Sequence, residues 1–410
     1  MKYGLIGERL GHSFSKIIHK KIADYGYELC EIPRDGLSDF ISGRDFLGIN
    51  VTIPYKESVI PLLDEIDEPA KRIGAVNTVV NKNGRLCGYN TDFYGMSDLI
   101  SHAGIEVLGR KAAILGSGGT SKTARAVLSS LGASEILTVS RSKRGGAISY
   151  EELAKLHSDI EILVNTTPVG MYPDILACPV DLSNFSDLAG VIDPIYNPIN
   201  TTLIQRAREM GIKAEGGLYM LVSQAVRSAE LFLDTELPSS LTDQIYREIK
   251  REKESIVLIG MPGSGKSTVG GILAEKLSRR LVDTDEIIKK RIGMEIKDFF
   301  ALHGEDSFRE IESEVIKKHA DQSSLVISTG GGAILRKENI SALKYNGKIF
   351  FIDRPIHMIV ATESRPLSSD REALQRRYDE RYGIYIGACD YHIDGSPDAN
   401  AVCEKIMENF

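Results

Sequence analysis

Ala112-Ala113-Ile114-Leu115-Gly116-Ser117-Gly118-Gly119-Thr120-Ser121 is a short apolar run that empties into a glycine-rich loop. Ile256-Val257-Leu258-Ile259-Gly260-Met261-Pro262-Gly263-Ser264-Gly265-Lys266-Ser267 repeats the plan with a different loop. A helical pattern follows each, from Lys122 to Leu131 and from Ser267 to Leu277. Strand, glycine turn and helix in that order present backbone N–H groups and a helix N-terminus to phosphate. Short β-rich runs alternate with helical patterns throughout the chain, which predicts α/β layers with parallel sheets.

The first loop has dinucleotide spacing, with Ser121 where a third small residue is usual. Gly116, Gly118 and Gly119 would let the backbone approach a pyrophosphate closely. The next strand, Ile136-Leu137-Thr138-Val139, ends in Ser140-Arg141-Ser142-Lys143-Arg144. A carboxylate at this place would read a ribose 2′-hydroxyl, and none is present. Ser140, Arg141 and Lys143 suit a 2′-phosphate instead, because Arg grips phosphate with charge-assisted bonds. NADPH is therefore expected over NADH.

The second loop is a full G-x-x-x-x-G-K-S. Gly263, Ser264, Gly265 and Thr268 belong to the turn that wraps the phosphates of ATP. Lys266 would reach the β and γ oxygens, and the Ser267 hydroxyl would ligate Mg²⁺.

The chain has 410 residues, too many for one ordinary core. A net charge of −7 disfavours a nucleic-acid partner. The five cysteines are scattered without a C-x-x-C pair, which fits a reducing cytoplasm rather than a disulfide framework or zinc site. No apolar run approaches the ~18 residues a membrane span needs, so small-molecule substrates are the expected partners. An α/β substrate domain is expected over 1–105, completed by 219–250, whose helix Tyr219–Leu233 would pack back on it. A Rossmann-type NADP domain would fill 106–218, and a P-loop domain with a parallel sheet 255–410. Pro238–Glu254 reads as a solvated helix running into a charged connector, with the main boundary near Arg251.

The opening block gathers hydroxyls, amides, one Lys and one Asp. They lie in Gly11-His12-Ser13-Phe14-Ser15, Asn50-Val51-Thr52-Ile53-Pro54-Tyr55-Lys56, Gly74-Ala75-Val76-Asn77-Thr78 and Gly88-Tyr89-Asn90-Thr91-Asp92. Such a set suits a small polyhydroxylated acid, with a Lys–Asp pair for proton transfer.

These strings resemble shikimate dehydrogenase over about residues 1–250, together with Asn165-Thr166-Thr167-Pro168, Asp193-Pro194-Ile195-Tyr196-Asn197-Pro198 and Gly217-Leu218-Tyr219-Met220-Leu221-Val222-Ser223-Gln224-Ala225. The resemblance implies that Ser13 and Ser15 hold a substrate carboxylate. Thr52, Asn77, Tyr196 and Gln224 would contact its oxygens, Gly217 the cofactor, and Lys56 with Asp92 would form the catalytic pair. Lys16 stands where the family usually has Pro, and Ser140 where it usually has Asn. The motifs leave quinate open as a substrate.

Beyond the second loop come Asp283-Thr284-Asp285, Phe308-Arg309-Glu310-Ile311-Glu312, Gly330-Gly331-Gly332, Arg365-Pro366-Leu367 and Arg381. This constellation resembles shikimate kinase from about 255 to 410. It implies that Asp285 orients the attacking hydroxyl and that Asp283 holds Mg²⁺ with Ser267. Arg309 and Arg381 would clamp the substrate carboxylate, Glu312 would anchor Arg309, and Gly331 and Gly332 would offer backbone groups. Arg365 would reach the transferred phosphate from a lid that is shorter than is common in the family. The two resemblances together imply reduction of 3-dehydroshikimate to shikimate and phosphorylation of shikimate at its 3-hydroxyl. A second half that is another kind of kinase, or that binds nucleotide without catalysis, is the alternative.

Overall fold

The computed structural model describes residues 2–10, 14–142, 144–359 and 371–410. The chain divides into two compact units, Met1–Lys250 and Arg251–Phe410.

The first unit holds two sheets. One joins β1 (Tyr3–Gly7), β2 (Tyr27–Glu31), β3 (Gly48–Val51), β4 (Glu65–Ile66), β5 (Thr78–Lys82) and β6 (Arg85–Tyr89) in the order β2-β1-β3-β5-β6-β4. β1 is parallel to β2 and β3, but β5 is antiparallel to β3 and β6. This sheet is thus mixed, with β5 the one strand that departs from the parallel pattern the alternation predicts. Its reversal lies at Asn83-Gly84, with φ of 55° and 89°. Positive φ at both central residues makes the type I′ turn, whose twist matches an antiparallel pair.

The other sheet joins β7 (Lys111–Leu115), β8 (Glu135–Val139), β9 (Ile162–Asn165), β10 (Gly190–Asp193) and β11 (Lys213–Gly216). The order is β8-β7-β9-β10-β11, all parallel. β7 and β9 are covered on both faces, which is why they read as unbroken apolar runs. The connections diverge between these two strands, so a crevice opens at their carboxyl ends. Helix Leu218–Leu233 returns to the first sheet, where Phe232 meets Tyr3 with ring centroids 5.4 Å apart. It crosses helix Thr91–His102 at Gly95, where an added Cβ would lie 2.8 Å from the Met220 carbonyl oxygen.

The charged stretch before the boundary corrects the solvated-helix reading. Helix Leu241–Lys253 buries Ile245, Tyr246 and Ile249. Tyr246 lies edge-on to Tyr219 at 5.2 Å, and His102 stacks on Tyr219 at 3.9 Å. Lys250–Lys253 is the helix's last turn rather than a connector. A narrow apolar stripe was masked by the charges around it.

The second unit is one parallel sheet: β12 (Ser255–Ile259), β13 (Arg280–Asp283), β14 (Leu325–Ser328), β15 (Gly347–Asp353) and β16 (Tyr391–Asp394). The order is β13-β14-β12-β15-β16. β12 is central and buried along its whole length, which sets the glycine loop after it at a second switch point. Leu258, Phe350 and Ile352 pack against Val269, Leu273, Val402 and Ile406 of the covering helices. Among the described residues, no helix is long and apolar enough to cross a membrane.

Candidate active sites

A cleft of 720 Å³ opens in the first unit between its two sheets. Ser15, Thr52, Lys56, Asn77, Asp92, Tyr196, Gly217 and Gln224 all line it, with Gly119 of the glycine loop. Ser13 and Lys143 lie outside the described residues. Lys56 Nζ donates to Asp92 Oδ2 at 2.6 Å. Asp92 sits in the first turn of helix Thr91–His102, where the helix dipole favours a negative charge. Asn90 caps that helix, its Oδ1 accepting from the Phe93 N–H at 3.1 Å.

Asn77 Oδ1 accepts from the Thr91 N–H at 2.7 Å, which fixes the orientation of the amide. Its NH₂ makes no hydrogen bond among the described residues and is a donor for the cleft. Behind it, Asn50 Nδ2 donates to Ser228 Oγ at 2.8 Å and Thr78 Oγ1 at 3.0 Å. Asn50 Oδ1 accepts from Tyr27 at 2.7 Å. Tyr27 stacks on His19 at 3.8 Å, and burial lowers the His19 pKa to about 3. The neutral imidazole and its partners form a fixed polar floor.

The glycine loop is shaped for close approach. Gly116 has φ of 106°, and a Cβ there would meet Thr166 Oγ1 at 2.8 Å. A Cβ on Gly118 or Gly119 would meet nothing within 4 Å, so that backbone faces open space a pyrophosphate can fill. Ser140 Oγ lies 3.3 Å from Ser117 Oγ and 3.2 Å from Ser142 Oγ. Ser140 thus ties the cofactor-choosing turn to the glycine loop, while Arg141 is exposed. Gly217 sits so close to Pro194 that a Cβ would lie 1.9 Å from its carbonyl oxygen. Tyr196 rests edge-on against Phe14 at 5.5 Å, and burial raises its pKa. Upstream, buried Asp193 accepts from Thr201 Oγ1 at 2.7 Å, Asn165 Nδ2 at 3.1 Å and the Ile195 N–H at 3.3 Å. Desolvation nevertheless raises its pKa to about 6.

A cavity of 420 Å³ in the second unit gathers Gly263, Gly265, Lys266, Ser267, Thr268, Asp285, Arg309, Gly331, Gly332 and Arg381. Lys266 Nζ folds back to the carbonyls of Gly260 and Met261 at 2.9 and 3.0 Å. The Ser264 hydroxyl is buried in the loop and has no hydrogen-bond partner among the described residues. Ser267 Oγ donates to Asp283 Oδ2 at 2.6 Å, and Asp283 Oδ1 accepts from the Asp285 N–H at 3.1 Å. A hydroxyl beside a carboxylate offers the oxygen donors that Mg²⁺ takes together with water and phosphate. Among the described residues, no cluster of three His, Cys, Asp or Glu could hold a metal by itself.

Arg309 is buried and fully engaged. Its Nη1 donates to Glu312 Oε2 at 2.7 Å; its Nε and Nη2 donate to Glu305 Oε1 at 3.2 and 2.7 Å. Burial raises the Glu312 pKa, and the Arg309 guanidinium opposes that shift. Glu312 Oε1 has no hydrogen-bond partner among the described residues. A Cβ on Gly330 would fall 2.6 Å from Asp285 Oδ1 and 2.7 Å from Glu312 Oε1. Arg381 Nη1 and the Tyr385 hydroxyl both donate to the Gly331 carbonyl, at 3.1 and 2.6 Å. Arg365 lies outside the described residues.

A model of the shikimate dehydrogenase substrate binding domain matches residues 5–79, and one of shikimate kinase matches 262–410. Shikimate dehydrogenase (NADP(+)) of Clostridium perfringens (strain SM101 / Type A) is 36% identical over 266 residues, 60% of this chain and 98% of that protein. The chain belongs to the shikimate dehydrogenase family. A shikimate kinase domain follows in the same chain. The dehydrogenase unit is similar to a chorismate mutase/shikimate 5-dehydrogenase fusion protein from Clostridium acetobutylicum, with a TM-score of 0.58 and 38% identity. That match covers 61% of this chain and 97% of the other. It is also similar to shikimate 5-dehydrogenase from Thermus thermophilus, solved in complex with NADP(H) and shikimate. There the TM-score is 0.55 and the identity 28%, over 60% of this chain and 99% of the other.

Sequence reasoning missed several lining residues. Arg9 and Glu57 line the dehydrogenase cleft, and Glu57 pairs with Lys122 of the glycine-loop helix at 2.7 Å. Arg354 and Met358 line the kinase cavity. The signal for Arg354 was its place directly after β15, the neighbour of the P-loop strand. Tyr385 lies four residues after Arg381 on helix Arg371–Ala388, the spacing that puts two side chains on one face.

Proposed function

We propose that this chain reduces 3-dehydroshikimate to shikimate with NADPH at the first cleft and phosphorylates shikimate with MgATP at the second. One observation carries the reading: each cavity joins a nucleotide loop to side chains suited to a small hydroxylated acid. NADPH, when bound along Gly116, Gly118 and Gly119 with its 2′-phosphate toward Arg141, supplies the hydride. Lys56 stabilises the alkoxide that hydride addition leaves and donates a proton to its oxygen. Asp92 holds the ammonium at that place and balances its charge. Ser15, Thr52, the Asn77 NH₂, Tyr196 and Gln224 orient the acid.

Ser267 and Asp283 would hold Mg²⁺, and ATP bound along the glycine loop would supply the phosphoryl group. Asp285 accepts the hydrogen bond of the attacking 3-hydroxyl and sets its line of approach. Arg309 and Arg381 hold the carboxylate, and Lys266 stabilises charge on the transferred group. The five free thiols and the small-molecule sites fit a cytoplasmic enzyme. The test is a coupled assay started from 3-dehydroshikimate with NADPH and MgATP. NADPH oxidation should precede shikimate-dependent ADP release. ADP release at equal rates with and without shikimate would overturn the kinase half. Faster NADP⁺-linked oxidation of quinate than of shikimate would overturn the substrate of the first.

A further inference from the structure

Among the described residues, the kinase cavity is lined by four cationic side chains: Lys266, Arg309, Arg354 and Arg381. Three have partners: Lys266 on loop carbonyls, Arg309 on two glutamates and Arg381 on the Gly331 carbonyl. Arg354 has none among the described residues, although it is half-buried. The acid beside it in sequence is committed elsewhere. Asp353 Oδ1 accepts from the Tyr378 hydroxyl at 3.0 Å, and its Oδ2 lies 2.9 Å from His392 Nε2.

The position of Arg354 makes the missing partner informative. Its Nη1 lies 3.9 Å from where a Gly265 Cβ would stand. Gly265 caps helix Lys266–Lys276, so the guanidinium sits at the positive end of the helix dipole, with Lys266 adjoining. A cation there is repelled by both unless an anion joins them. The backbone N–H of Arg354 packs beside Gly395, where an added Cβ would meet it at 3.0 Å. Arg354 is therefore fixed by the end of β15 and not carried on a loop tip.

We propose that Arg354 is a nucleotide-binding residue of the kinase site, paired with the polyphosphate of ATP and ADP. This inference rests on the kinase reading above. The phosphates supply the anion that relieves the repulsion, and the planar guanidinium can grip two oxygens where Lys266 offers a point charge. Because β15 adjoins the P-loop strand, this cation is in place before nucleotide arrives.

The experiment is equilibrium binding of MgADP to the full chain by calorimetry, with Arg354→Ala, Arg354→Gln and Arg354→Lys. Far-UV circular dichroism and the thermal unfolding profile report folding of each variant. The parent should bind MgADP, and Arg354→Ala and Arg354→Gln should bind it about ten- to a hundredfold more weakly, the scale of a charge-assisted contact. Arg354→Lys should recover part of the loss, and binding of inorganic tripolyphosphate should weaken in parallel. Should one neutral variant fail to fold, the other decides. MgADP affinity within twofold of the parent in a folded neutral variant would overturn the inference and leave the kinase reading intact. A parent that binds neither MgADP nor MgATP would overturn both.

Discussion

Gly332→Ala tests the carboxylate clamp without replacing a charged residue. A Cβ at this position would lie 2.2 Å from Arg309 Nη2 and 2.4 Å from Cζ and Nη1. Ordinary contact begins at 3.4 Å, so the guanidinium must retreat by about 1.2 Å. Glu312 and Glu305 hold it from the other side at 2.7 Å each, so the shift displaces the head group from its set place. A misplacement of ~1 Å typically costs about a hundredfold in rate when it affects a positioning group. The expected result is a fall of about two orders of magnitude in kcat/KM for shikimate, with MgADP affinity unchanged. The assay is shikimate-dependent ADP release by the full chain, with calorimetric MgADP binding as the second readout. A kcat/KM within fivefold of the parent would refute the reasoning. It would mean that Arg309 relaxes freely, or that it does not hold the acid.

Lys56→Ala should lower 3-dehydroshikimate reduction by about two to four orders of magnitude, the scale of acid–base catalysis; a tenfold loss or less would remove Lys56 as the proton donor. Lys266→Ala should lower phosphoryl transfer by about two to three orders of magnitude and leave NADPH oxidation unchanged, as read in the two separate assays. Asp193 gives a pH signature. Its pKa is raised from 3.8 to about 6, so its protonated form favours folding below 3.8 and that advantage is lost as pH rises through 6. Relative to Asp193→Asn, the first unit should lose about 2 kcal/mol between pH 4 and 7, and a pH-independent difference by chemical denaturation would contradict this. His19, with its pKa lowered to about 3, should show no imidazole titration by NMR between pH 8 and 4.5.

Both nucleotide loops were legible because strand, turn and helix are contiguous in sequence. So was the Lys56–Asp92 pair, through the motifs around it. The antiparallel reversal of the first sheet was equally local: Asn83-Gly84 between two apolar runs is a hairpin signal, passed over because the rest of the chain alternates β with α. The helix over Leu241–Lys253 was misjudged for a different reason. Its buried stripe is only Ile245, Tyr246 and Ile249, and its seat on Tyr219 and His102 is a tertiary fact. Arg354 and Tyr385 were missed because their meaning lies in what they face. Arg354 reaches the P-loop only through the adjacency of β12 and β15, and Tyr385 meets Gly331 across 54 positions of chain. Short-range spacing finds loops and caps; it does not find a side chain whose partner is set by sheet order.

The grip of Glu305 on Arg309 gives the kinase site an internal competitor. Nε and Nη2 form the edge of a guanidinium that a planar acid takes side-on, and a resident carboxylate already occupies it. Glu305 adjoins the break in its helix at Gly304 and is half exposed, whereas Glu312 is sealed in. Glu305 is therefore the partner that yields. At Arg309 an incoming acid would trade places with a tethered one, and the number of ion pairs there would stay the same. At Arg309 charge alone would gain the ligand nothing in such an exchange; the new ion pair would be the one with Arg381, whose present partner is a neutral carbonyl. The rest of the margin would come from the ring and its hydroxyls, contacts that a simple carboxylic acid lacks.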